Sequence, residues 1–337
     1  MPKNQQPLTT SSPEAVSEVG TPSVVTAPES EGFDLYRFRE SEEGKKLAAW
    51  ASNEFSRCKT AKTRKHRQWY INMAFNFGHQ WVDILDSKLP GSLAGKFKTK
   101  AAPPYVSRRT VNRVRSFVRT EQSKFLSTLP TVSAVPATAE EEDIRAAYAA
   151  EQVWQSYTSK RSLRREYSKA TWWKILTGNG FLKAWWDPTI TDKSTGQPGD
   201  IVYRSIAPFH IFVPDMRERE VDDQPYIIQA QVKPLEWCKQ MYGDEMKGKG
   251  IKPSQLSANT LLDDAYFNLS DTPKSELDAC VILEVWVKPG TTPMMPKGGL
   301  LILVEDCLVG AFMDGMPYNH GEYPYTKIEH MYNDTFW

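Results

Sequence analysis

The residues able to do chemistry are few, and their spacing assembles none of the familiar centres. A phosphate-cradling loop needs glycines at fixed spacing ahead of a helix, and neither GxxxxGK[ST] nor GxGxxG occurs. Gly243-Asp-Glu-Met-Lys-Gly-Lys-Gly250 is rich in Gly and Lys but lacks that spacing and reads as a flexible polar loop. Nucleophilic catalysis needs a nucleophile, a base and an orienting group. No GxSxG elbow is present, and the five histidines are scattered. His210 with Asp215, and His320 with Glu322, Glu329 and His330, are the local His and carboxylate groupings. Neither has HExxH spacing, and at the second a polar turn near a strand end accounts for the residues. Asp222-Asp223 and Asp263-Asp264 sit in polar stretches and read as solvated surface. Cys58, Cys238, Cys280 and Cys307 lie far apart with no CxxC pair, so free, buried thiols are expected. The expectation is a protein with no catalytic, metal or cofactor-binding residues, not an enzyme.

One functional signal survives in the composition. Residues 57–124 hold 16 Lys and Arg against Asp83, Asp86 and Glu121, a local +13. The whole chain carries +1, so the remainder carries −12. Lys and Arg neutralise phosphates and release counterions, so a basic stripe beside Trp69, Tyr70 and Trp81 has the ingredients of a nucleic-acid surface. A solvated helix face, or pairing with the acidic part of a neighbouring subunit, accounts for the same residues. No RRM, KH, zinc-finger or helix-turn-helix signature points to base reading.

The elements that would position these residues fall in two blocks. The chain has 337 residues, 40 % hydrophobic and 25 % charged, enough for one large core or two domains. Eleven tryptophans hint at assembly, since Trp is favoured in interfaces. No run nears the roughly 20 apolar residues that span a bilayer, so no membrane contact is expected. Residues 1–32 lack aromatics and an apolar h-region, which predicts a disordered tail and no signal peptide, hence a cytoplasmic protein. Helical periodicity predicts helices over 41–77, 107–129, 139–157 and 163–176, the first with a basic stretch at 57–67 that is either a helix face or a break. In the second, Val111, Val114, Val118, Phe125 and Leu129 form an apolar stripe while Arg108, Arg109, Arg113, Arg115 and Arg119 crowd the rest. Residues 86–104 read as a loop. After Gly180 the period changes to that of strands, at 181–186, 201–206, 211–213, 226–232, 280–288, 300–305 and 308–313. One short helix lies between Pro234 and Gly243, and 244–279 is polar and irregular. Helices first and strands second predict an α+β fold: a tail at 1–32, a helical part at 33–180 and a β-rich part at 181–337. The aromatic ending Phe336-Trp337 suggests a fragment of a longer protein.

At Trp69-x-x-Asn72-x-x-Phe75-x-x-Gly78-x-Gln80-Trp81 the sequence resembles the start of tailed-bacteriophage portal proteins of the short-tailed type. In that family a Pro-rich approach and an Asn-Arg pair opening the next helix follow, here Asn112-Arg113. The similarity continues in order through Pro130-Thr-Val-Ser-Ala-Val-Pro136, the alanine-rich 146–154, Gly178-Asn-Gly-Phe-Leu-Lys-Ala184, Pro208-Phe-His-Ile-Phe-Val-Pro-Asp215 and Asn333-Asp-Thr-Phe-Trp337. Val213-Pro-Asp215 departs from the more usual Asp-before-Pro order, at a structural turn. Each motif alone is weak, whereas their order and spacing over 69–337 are specific. The resemblance implies the outer wing and body of a portal subunit, with stem, clip and crown further along. It implies a dodecameric ring of identical subunits at one capsid vertex, a conduit for genome packaging and ejection. Its partners would be the terminase motor, capsid and scaffolding proteins, head-completion and tail proteins, and double-stranded DNA held without base reading. The location implied is the virion. Trp69, Asn72, Phe75, Gly78, Gln80, Trp81, Asn112 and Arg113 would be structural: Trp69 and Trp81 packing helix on sheet, Gly78 ending a helix, Asn112 capping one and Arg113 reaching a carboxylate. Arg108, Arg109, Arg115 and Arg119 would face neighbouring subunits, DNA or solvent. A non-specific nucleic-acid-binding protein and a phage nuclease are the alternatives.

Overall fold

The structure, a computed structural model, describes residues 34–78, 80–83, 98–99, 103, 105, 107, 109–127, 133–160, 163–191, 198–243, 279–318, 320–331 and 334–337. The expected tail at 1–32 and nearly all of the polar 244–279 stretch lie outside them. The fold is α+β. Helices α1 (Leu35–Glu40) and α2 (Glu42–Asn76) come first, then the short strands β1 (Val82–Asp83) and β2 (Lys98–Thr99). Helices α3 (Arg113–Ser127), α4 (Glu141–Lys160) and α5 (Leu163–Thr177) follow. The β-rich part holds β3 (Asn179–Thr191), β4 (Pro198–Ile206), β5 (Ile211–Phe212), β6 (Tyr226–Pro234), α6 (Leu235–Tyr242), β7 (Ala279–Val287), β8 (Gly299–Val304), β9 (Cys307–Phe312) and β10 (Tyr325–Glu329).

α2 is one helix of 35 residues, so the basic 57–67 stretch is a helix face and not a break. Ser41 caps it, its hydroxyl accepting from the Gly44 N–H at 3.1 Å, and Glu42 and Glu43 suit the positive end of the helix dipole. The second helix starts at Arg113 rather than 107, and the expected loop at 86–104 contains β2 pairing with β1.

Two antiparallel sheets face each other, with orders β10-β3-β4 and β5-β6-β7-β8-β9. Every residue of β7 is buried, because both of its faces are covered. Ile282 and Trp286 turn to the space between the sheets, where they meet Trp173 of α5, Phe181, Trp185 and Tyr325. Val281, Leu283 and Val285 turn the other way, against Leu47, Ala48, Ala51 and Cys58 of α2. Each large side chain so buried contributes about 1.5–3 kcal/mol. The second half of α2, with Trp69, Tyr70 and Met73, crosses to the first core. All four cysteines are free and buried. Gly180 sits where β3 passes α5, and a Cβ there would fall 2.2 Å from the Ala170 carbonyl oxygen.

Candidate functional site

The signature residues meet where α2 ends, α3 begins and α5 ends. The last carbonyls of a helix lack partners within it. Asn72 supplies one for α5, its Nδ2 donating to the Leu176 carbonyl at 2.8 Å, while Gln68 Nε2 holds its Oδ1 at 3.1 Å. Asn112 serves two helices. Its Oδ1 accepts from the Arg115 N–H at 3.0 Å, capping α3, and its Nδ2 donates to the Asn76 carbonyl at the end of α2, at 2.8 Å. Gly78, at φ +93°, turns the chain out of α2 in the left-handed region, and a Cβ would lie 3.3 Å from the Asn112 amide. Gln80 Nε2 donates to the Val111 carbonyl at 3.2 Å, and Trp81 Nε1 to Thr110 Oγ1 at 3.2 Å. The expected helix cap at Asn112 is therefore present.

Three expectations need correction. Trp81 is 43 % exposed and clamps the α3 approach, so of the two only Trp69 is buried in the core, with Phe209 and Trp337 at 5.1 Å. Trp69 and Tyr70 are buried and unavailable for stacking on bases, which leaves Trp81 as the exposed aromatic of that trio. Arg113 is exposed and, among the described residues, pairs with no carboxylate. Phe75 is exposed on the outer side of α2.

Beyond the junction, α3 and α4 form an arm with little burial. Val118 is the one buried residue of α3, and α4 has none among its described side chains. The expected stripe is only partly covered: Val114 packs on the core, Phe125 lies under the Lys174 ammonium at 3.6 Å, and Val111 is exposed. Leu129 lies outside the described residues. Phe117 (72 % exposed) opens onto a groove of about 610 Å³ shared with Phe125 and Tyr167, while Ile144, Tyr148 (66 %) and Val153 are exposed on α4. Arg109, Arg115 and Arg119 are all exposed on or just before α3. Arg108 lies outside the described residues. The first turn of α4 carries Glu141, Glu142 and Asp143, the opposite charge to α3.

Polar groups that sequence reasoning missed lie inside. Lys62, 1 % exposed, donates to the carbonyls of Pro208 and Ile211 and sits over Trp337 at 4.0 Å and Phe212 at 4.6 Å. Burial holds its ammonium well below the usual lysine range. Lys183 of β3 meets Glu284 of β7 at 2.6 Å and Gln229 of β6 at 3.0 Å, tying the two sheets together. Trp286 Nε1 and Tyr325 OH complete the donors around Glu284, at 2.6 and 3.3 Å. The local signal was there: Lys183 shares a strand face with Phe181 and Trp185, and Glu284 with Ile282 and Trp286.

The sequence-level His and carboxylate groupings do not gather. His210 Nδ1 bonds the Ala230 carbonyl at 2.9 Å, Asp215 accepts from the Arg217 N–H, His330 lies beside Glu121, and Glu329 pairs with Arg219 and Lys327. Among the described residues no three His, Cys, Asp or Glu side chains converge as a metal site would require. Among them, too, no helix is long and apolar enough to cross a membrane. Asp263, Asp264 and residues 244–250 lie outside the described part. No protein-family model matches the chain, and no curated protein matches it.

Proposed function

We propose that this chain is the wing and body of a tailed-phage portal subunit, which assembles with copies of itself into a ring that conducts double-stranded DNA at the capsid vertex. One observation carries the reading. The family-like motifs run in order from Trp69 to Trp337, and Asn72, Gly78, Gln80, Trp81 and Asn112 of the first two converge on one helix junction. The junction sets the direction of an arm whose apolar side chains and arginines are left uncovered. A neighbour in a ring would cover them, because interface cores favour aromatic residues and arginine. The role is mechanical and electrostatic, with energy supplied by the terminase motor. Capsid and scaffolding proteins would bind the ring during assembly, and head-completion and tail proteins afterwards.

The test is electron microscopy and native mass spectrometry of the product of the complete reading frame. Rings of one subunit type are expected, with weak DNA binding by the single subunit. Monomers alone under assembly conditions, with tight and strongly salt-dependent DNA binding, would overturn the reading in favour of a nucleic-acid-binding protein.

A further inference from the structure

The groove of about 610 Å³ between α3 and α5 is lined by Phe117, Thr120, Glu121, Lys124, Phe125 and Tyr167. On α3, Arg113, Phe117, Thr120 and Lys124 recur at the spacing of one helix face, and all four are exposed. The face has a cation at each end and uncharged side chains between. Among the described residues neither Arg113 nor Lys124 pairs with a carboxylate. Glu121, the acid in the lining, is turned to His330 at 3.3 Å. The cations at the ends of the groove are therefore open to an acidic partner, and Phe117 to an apolar one.

α4 carries the reverse pattern. Glu141, Ile144, Tyr148 and Glu151 recur at the same spacing, an acid at each end and two large side chains between. Ile144 and Tyr148 are exposed, and Glu151 is half-buried at the edge of the face. α4 meets α5 of its own chain, and Asp143, Ala147 and Trp154 are half-buried on a different flank. Glu141 bonds Arg145, an exposed pair one turn apart of the kind that holds weakly and exchanges at little cost. We propose that α4 of a second copy seats in the α3–α5 groove, Ile144 and Tyr148 against Phe117 and Tyr167, with its acids beside Arg113 and Lys124. Opposite charges at both ends fix the seat along the groove, and the apolar middle supplies attraction. Groove and α4 face are different surfaces of one copy, so the contact is head-to-tail. The inference rests on the ring reading and names the segment that fills the groove.

The test is thiol cross-linking in the product of the complete reading frame. Cys58, Cys238, Cys280 and Cys307 are buried, so an introduced exposed thiol is the one that reacts. Phe117→Cys and Tyr148→Cys are made as separate proteins, mixed under assembly conditions and treated with a short bis-maleimide. The charge pattern matches with the two helices parallel or antiparallel, and Phe117 then faces Ile144 or Tyr148, one turn apart and within reach of the same linker. A covalent dimer that needs both variants is expected, and a ladder of larger multimers when one chain carries both substitutions, because head-to-tail contacts repeat. Val153→Cys, exposed on the other side of α4, should give no link to Phe117→Cys. If Phe117→Cys does not assemble, Thr120→Cys on the same face takes its place. Rings seen by electron microscopy that lack the link, or that link equally through Val153, overturn the seat and leave the ring reading standing. Monomers alone overturn both.

Discussion

Asn112 joins two helices with one amide, so its replacement has a graded and readable cost. Asn112→Ala loses the cap on the Arg115 N–H and the donor to the Asn76 carbonyl. An N-cap is worth about 1 kcal/mol and a second hydrogen bond about as much, so a loss of roughly 2 kcal/mol is expected in urea unfolding. Asn112→Asp keeps the acceptor but sets a carboxylate oxygen against the Asn76 carbonyl, so it should recover only part of that loss. Equal stability of the alanine variant and the wild type would remove the junction from the account. His210 makes a second residue-level case. Burial lowers its pKa to about 4 from an ordinary 6.5, and burial pushes His66 the same way. Between pH 6.5 and 4 the unfolded chain therefore takes up a proton that the folded His210 refuses, and stability falls as the pH falls through that window. His210→Asn keeps a donor for the Ala230 carbonyl and removes the titration. Urea midpoints measured from pH 7 to 4 should fall less steeply for this variant, by up to about one proton's worth of slope. Parallel curves for the two proteins would mean that His210 titrates normally.

Elements differ in how firmly they are held, and the arm is the weakest. Among its described side chains α4 has none buried, whereas β7 has every residue buried and partners on both edges. Local opening follows burial and contact density. Hydrogen exchange of the single subunit should therefore label α4 first and β7 last, with α4 becoming protected on self-association. An α4 as slow as β7 in the single subunit would contradict the uncovered arm. Most elements were legible because their periods are local. The 3.6-residue repeat marks α2 and α5, and the apolar runs mark β7, β8 and β9. β10 was missed because Tyr325–Glu329 is half polar and becomes a strand only by pairing with β3, which starts almost 150 residues earlier. The join within α2 was ambiguous because its lysines and arginines hide an inward stripe. Cys58, Lys62, His66, Trp69 and Met73 recur at helical spacing on the buried side, and a lysine in that row reads as polar surface until its carbonyl partners are known. The helix junction was legible residue by residue through Asn112, while the partners of Asn72 and Gln80 lie too far along the chain for spacing to show.

At the scale of the molecule, the dominant feature is the division of charge. Residues 57–124 carry +13 and the rest −12, yet the described ion pairs use little of that positive charge. Arg113, Arg115 and Arg119 stay exposed along α3 and Arg109 just before it, and the acidic first turn of α4 is a matching surface on the same arm. The exposed arginines and the acidic first turn of α4 suit head-to-tail contact, in which the basic face of one copy meets an acidic face of the next, and such contacts close into a ring when the rotation between copies closes. The apolar side chains Phe117, Ile144 and Tyr148 would supply attraction that salt does not screen. The two contributions respond oppositely to ionic strength. Charge attraction fades as the screening length drops from about 10 Å at 0.1 M to about 3 Å at 1 M, while apolar burial does not. Sedimentation velocity across that range should show self-association weakening with salt but not vanishing. A quadruple Arg-to-Gln variant at 109, 113, 115 and 119 should associate more weakly at 0.1 M and lose most of its salt dependence. Phe117→Glu should weaken association at both ionic strengths, with the fold intact by circular dichroism. If the wild type and the quadruple variant associate alike at every salt concentration, these arginines take no part in the proposed ring contact.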